Sequence, residues 1–85
     1  MKLIKLFADW CGPCKVLEKT LQDHNIEHKS IYIDSPEGDA LVLKHNIKSI
    51  PTLLILDDND NLVRKMSGLP ASTEDLMKFI HEQDS

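Results

Sequence analysis

Trp10-Cys11-Gly12-Pro13-Cys14 holds the chain's only tryptophan, both of its cysteines and one of its three glycines. Two thiols at this spacing can close a small disulfide without any distant part of the chain moving. They can also pass that disulfide to another protein. With no further cysteine to build a structural framework, the pair reads as a redox dithiol. A static disulfide and a zinc half-site are the bland readings. No second Cys-x-x-Cys or suitable histidine pair completes a zinc site, so no metal is expected.

The flanks suit that chemistry. Lys2-Leu3-Ile4-Lys5-Leu6-Phe7 is a short apolar run without helical period and predicts a buried central strand. A helix should start around Cys11, with Pro13 in its first turn and Leu17 and Leu21 on one face, stopping near Asn25. His28 to Ile33 predicts a second strand. Ser35-Pro36-Glu37 supplies an N-cap, a first-turn proline and a first-turn acid for a helix to about His45, ending at Asn46. Thr52 to Leu56 and Leu62 to Met66 predict a hairpin around the turn formers Asp57 to Asn61. Ser72-Thr73-Glu74-Asp75 caps a last helix, with Asp75 in the capping-box position and Leu76, Phe79 and Ile80 as its buried stripe.

The order β-α-β-α-β-β-α predicts an α/β fold. It calls for one four-stranded mixed sheet, a right-handed parallel crossover first and an antiparallel hairpin later, with helices on both faces. The 85 residues make a single domain, 1–85. Hydrophobic residues are 41% and aromatics only 5%, so the core is expected to be Leu, Ile and Val. The ten Lys and Arg are scattered among fourteen acids for a net charge of −4, which excludes a nucleic-acid surface. No run approaches a membrane span and no secretory segment is visible, so a soluble, cytoplasmic protein of a reducing compartment is expected.

Trp10-Cys-Gly-Pro-Cys14 after a strand, Ile50-Pro51-Thr52 opening a later strand, and Gly68 before the last helix together resemble the thioredoxin family. The resemblance covers essentially the whole chain. It is to the compact, glutaredoxin-sized thioredoxins, which lack the extra N-terminal strand and helix of the full-length proteins. It implies a minimal thioredoxin fold and a thiol–disulfide oxidoreductase that reduces protein disulfides. Thioredoxin reductase would be its electron donor, no cofactor would be bound, and the protein would act as a monomer. A glutaredoxin-like, glutathione-dependent reductase and a thioredoxin-fold binding or accessory module are the alternatives.

Site roles follow from the residues and the resemblance together. Cys11, at the helix start, meets free N–H groups and the helix dipole, which lower its pKa toward about 7 and make it the nucleophile. Cys14, one turn further in and expected to be more buried, is the resolving cysteine. Gly12-Pro13 implies a reducing potential, near about −270 mV in the family. Pro51 is expected in cis, against the disulfide, leaving Ile50 to pair with an extended substrate segment. Trp10, Gly12, Pro13, Ile50 and Gly68 would form a flat apolar docking patch.

One departure stands out. Full-length thioredoxins carry a buried aspartate six residues before the nucleophile, and this chain has Lys5 there. The family's partner lysine maps near Ser30. Lys5 either sits under Cys14, with a charge or proton role, or runs its stem along the sheet and its ammonium out to water; we favour the second. Asp9 is expected to be solvated. His24, His28, His45 and His81 show no ligand spacing and are expected on the surface. Asp57, Asp58 and Asp60 lack the patterned set of a calcium loop.

Overall fold

The computed structural model describes residues 1–81, and the last four residues of the expected domain lie outside that span. The chain runs β1 (Lys2–Phe7), α1 (Gly12–Asp23), β2 (Lys29–Tyr32), α2 (Pro36–Lys44), β3 (Thr52–Leu56), β4 (Leu62–Ser67) and α3 (Thr73–His81). The sheet order is β2-β1-β3-β4. β1 pairs parallel with β2 and antiparallel with β3, and β3 pairs antiparallel with β4. The expected element order and mixed sheet are present. β2 is shorter at both ends than expected, and β4 runs one residue further.

Short polar devices fix the element ends. Ser35 Oγ accepts from the Gly38 amide at 3.0 Å and caps α2, with Glu37 and Asp39 in its first turn. Ser72 Oγ accepts from the Asp75 amide at 3.1 Å and caps α3. Asn25 and Asn46 both take φ of 54°, where the short amide side chain tolerates the left-handed region better than a bulky one. The chain therefore leaves α1 and α2 in the same way. Just beyond, the Ile26 amide reaches back to Leu21 O and the Ile47 amide to Val42 O. In the hairpin, Asp57 Oδ1 accepts from the Asn59 and Asn61 amides.

Burial follows the strand alternation. On one face, Leu17 and Leu21 of α1 and Leu76 and Phe79 of α3 pack with Leu53 and Ile55 of β3, and Ile80 joins from the margin. On the other, Ile4, Leu6, Ile31, Leu54 and Leu56 form a second layer against Leu41 of α2. Helices thus cover both faces, and every residue of β3 is buried. A third, small cluster of Ala8, Cys11 and Cys14 closes the end of the sheet from which β1 feeds α1.

Candidate active site

Cys11 and Cys14 form a disulfide with Cα atoms 5.3 Å apart. Cys11 is the N-cap of α1, in extended backbone geometry, and its Sγ accepts from the Cys14 amide at 3.1 Å. The cap has this form because Pro13 falls at a first-turn position that needs no N–H, while the Cys11 amide is spent on Ala8 O at 3.2 Å. A sulfur at this point meets the unpaired N–H groups of the first turn, which favour its anionic form once the disulfide is opened.

The expectation that Cys14 lies deeper than Cys11 is corrected: both are 2% exposed. The turn through Ala8 folds Cys11 inward, and Phe7, Tyr32, Ile33 and Ile50 wall in both cysteines.

The rim assembles from distant segments. Trp10 is 73% exposed beside the disulfide, and Gly12 and Pro13 are also exposed. The Ile50–Pro51 bond is cis, Pro51 is buried and Ile50 packs on the cysteine cluster. Gly68, with φ of 79°, donates its amide to Pro51 O at 2.7 Å, which ties the end of β4 to the proline turn. Trp10, Gly12, Pro13 and Ile50 therefore border the disulfide, and Gly68 joins them through Pro51. Leu69, half exposed and not singled out from the sequence, extends the apolar rim next to Gly68.

Lys5 is where the structure departs most from expectation. Its ammonium does not reach water: the residue is 3% exposed and pairs with Glu18 of α1. The strand alternation points Lys5 toward α1, where Glu18 holds its ammonium. The Lys5 ammonium also lies 5.3 Å from the Phe7 ring centroid. Lys5, Cys14, Glu18 and Ser30 line one cleft of about 340 Å³, together with Phe7, Ala8, Asp9 and Lys15. Asp9 is exposed at its edge, as expected.

Glu18 was not legible as a site residue. Its Oε1 accepts from Lys5, from Ser30 Oγ at 3.1 Å and from His28 Nε2 at 2.9 Å, and its Oε2 from Gln22 at 2.7 Å. The Lys5 hydrogen bond, aided by those from His28 and Gln22, outweighs desolvation and lowers its pKa to about 2. The only sequence signal is its position, one turn beyond Cys14 on the same helix. His28 is corrected with it. Its side chain is 8% exposed, since its Nδ1 bonds Ile26 O and its Nε2 bonds Glu18. His45 is also drawn in rather than on the surface. Its Nε2 has no hydrogen-bond partner, and burial, helped by Lys44 and Lys65, lowers its pKa. Among the described residues, no group of His, Cys, Asp and Glu could hold a metal ion, and no helix is long and apolar enough to cross a membrane.

A family model described as Thioredoxin matches residues 1–82. The chain belongs to the thioredoxin family. It is 37% identical to the thioredoxin of Chlamydia caviae over 83 residues, which cover 94% of this chain and 79% of that one. It is 40% identical to the thioredoxin of Bacillus subtilis over 62 residues, 68% of this chain and 60% of that one. The chain thus spans less than two thirds of the Bacillus protein's length. Among solved structures, a Plasmodium falciparum thioredoxin aligns with a TM-score of 0.74 at 24% identity, covering 98% of this chain and 85% of that one. That likeness establishes the thioredoxin fold. Family membership and the Cys11–Cys14 pair together make the protein a thiol–disulfide oxidoreductase.

Proposed function

We propose that this thioredoxin reduces disulfides of other proteins, with Cys11 as nucleophile and Cys14 as resolving cysteine. The observation that carries the assignment is the Cys11 sulfur at the N-cap of α1, accepting from the Cys14 amide. The Cys11 thiolate attacks one sulfur of the substrate disulfide. A mixed disulfide forms, and the other substrate sulfur leaves as thiolate and takes a proton. Cys14 then attacks Cys11 Sγ and the Cys11–Cys14 bond forms. The second substrate sulfur is released, and two electrons have passed to the substrate. No bound cofactor enters either step.

The exposed apolar rim suits a protein surface better than a small charged thiol. Trp10, Ile50 and Gly68 dock the substrate, with an extended segment laid beside Ile50 and Pro51. A thioredoxin-type reductase restores the dithiol. The chain works as a monomer in the reducing cytoplasm, where a free dithiol persists.

Reduction of insulin disulfides tests the reading. Turnover is expected with NADPH and a thioredoxin reductase, and loss of turnover in Cys11→Ser. Turnover supported only by glutathione and its reductase would make the protein a glutaredoxin-like enzyme. Turnover with neither, together with one partner captured alike by Cys14→Ser and by the double serine variant, would make it a binding module.

A further inference from the structure

Lys5 is the one charged residue in the buried core among the described residues, and the steps above make no use of it. A lysine so enclosed is stable only with a partner, because an unpaired buried ammonium is strongly disfavoured. Glu18 is the acceptor it meets among the described residues. That carboxylate is shared: His28, Ser30 and Gln22 also donate to it. Those further donors fix the carboxylate in place, and the Lys5 ammonium is fixed with it.

Cys14 lines the same cleft. Before it can attack Cys11 Sγ, the Cys14 thiol must lose its proton in a site 2% exposed, where burial alone disfavours thiolate. A nearby cation offsets that penalty. Glu18 is a poor candidate for taking the proton, since four donors hold it ionised far below neutrality.

We propose that Lys5, anchored by Glu18, is a positioning residue whose ammonium charge makes the Cys14 thiol acidic enough to resolve the mixed disulfide. The proton leaves Cys14 for water through the cleft. The thiolate then forms the bond to Cys11 Sγ as the substrate sulfur departs. Other charged and titratable groups border this cleft or the cysteine cluster. They are Asp9 from the β1–α1 loop, Lys15 and Glu18 from α1, and Tyr32 from β2. Asp9 and Lys15 are exposed and opposite in sign, so water screens them and their effects oppose. Lys5 is the enclosed cation.

The inference rests on Cys14 as the resolving cysteine, which the insulin assay tests separately. Its own test is the titration of the Cys14 side chain in the reduced, selectively labelled protein, followed by NMR. In Lys5→Met the Cys14 midpoint is expected to rise by about one pH unit, a tenfold loss of thiolate at a given pH. Lys5→Arg keeps the charge and should restore most of the shift. Glu18→Gln unmasks the ammonium and should move Cys14 the opposite way, to lower pH. A purely structural pair would not give opposite signs. Should Lys5→Met fold poorly with Glu18 left unpaired, the double variant Lys5→Met/Glu18→Gln leaves neither charge orphaned. Its Cys14 midpoint, set against that of Glu18→Gln alone, isolates the lysine. A higher midpoint in the double variant supports the proposal. An equal midpoint, or one unmoved by Lys5→Met in a folded protein, overturns it.

Discussion

The amide of Cys14 donates to the Sγ of Cys11. That N–H is aimed at the sulfur that becomes the thiolate, and a hydrogen bond to a thiolate is stronger than one to a neutral sulfur. Cys14 lies inside the first turn, behind that N-cap position. Reduced protein treated with limiting iodoacetamide near neutral pH should therefore be alkylated at Cys11 first, by roughly tenfold. Peptide mapping by mass spectrometry reads the ratio. Equal labelling of the two cysteines would remove Cys11 from the nucleophile's role.

Glu18 makes stability depend on acid. Its pKa falls from 4.5 in the unfolded chain to about 2 in the fold. A depressed carboxylate contributes stability that is fully present above pH 4.5 and is lost as pH drops through the folded value. Its side chain is 29% exposed, so solvent screening reduces the effect to about 1–2 kcal/mol. Urea unfolding midpoints should decline steadily between pH 4.5 and 2, beyond the fall that His45, its pKa lowered by burial, brings as pH drops below 6.5. In Glu18→Gln the decline over that window should flatten. A variant that keeps the full slope would show that other carboxylates carry it.

Periodicity and caps made most of the fold legible. Ser35 and Ser72 announce α2 and α3, and Asn25 and Asn46 mark where α1 and α2 stop, because these are local events decided by a few neighbouring side chains. The polar cluster behind Cys14 was not legible for the opposite reason. Lys5, Glu18 and Ser30 come from three elements and His28 from the loop before β2, and they meet only because β1 pairs with β2 while α1 crosses above. The register does put Lys5 opposite Ser30. Nothing local says that Glu18 turns inward to join them, or that His28, just outside β2, leaves the surface to do so. Gly38 was unreadable in the same way, since its role is set by the backbone of β2.

Trp10 separates stability from recognition. At 73% exposed it contributes little to the core, and Trp10→Ala should change the unfolding free energy by no more than about 0.5 kcal/mol. Large exposed aromatics are nevertheless the residues that anchor protein contacts. The same variant should lose roughly tenfold in kcat/KM for insulin reduction, mainly through a higher KM, with the dithiol chemistry intact. Steady-state kinetics beside a urea titration would check both halves. Unchanged kcat/KM would take Trp10 out of the docking surface.

Gly38 and Gly12 make opposite cases. A Cβ at Gly38 would run into the Tyr32 carbonyl oxygen and stand 2.9 Å from Ile33 Cα. These are backbone atoms of β2 and the turn after it, so no side chain can swing aside. The Tyr32 carbonyl is moreover held by the Ser35 amide and hydroxyl at 3.0 and 2.6 Å. Gly38→Ala must lift the start of α2 off the sheet, which costs about 2 kcal/mol or more and lowers Tm by about 10 °C in a chain of this size. At Gly12, in the first turn of α1, an added Cβ meets nothing within 4 Å. Gly12→Ala should therefore leave Tm unchanged or slightly raised, because alanine stiffens the unfolded chain and favours the helix. Thermal unfolding of the two variants side by side decides the matter. Equal Tm values would mean that α2 can seat on β2 without the close approach at Gly38.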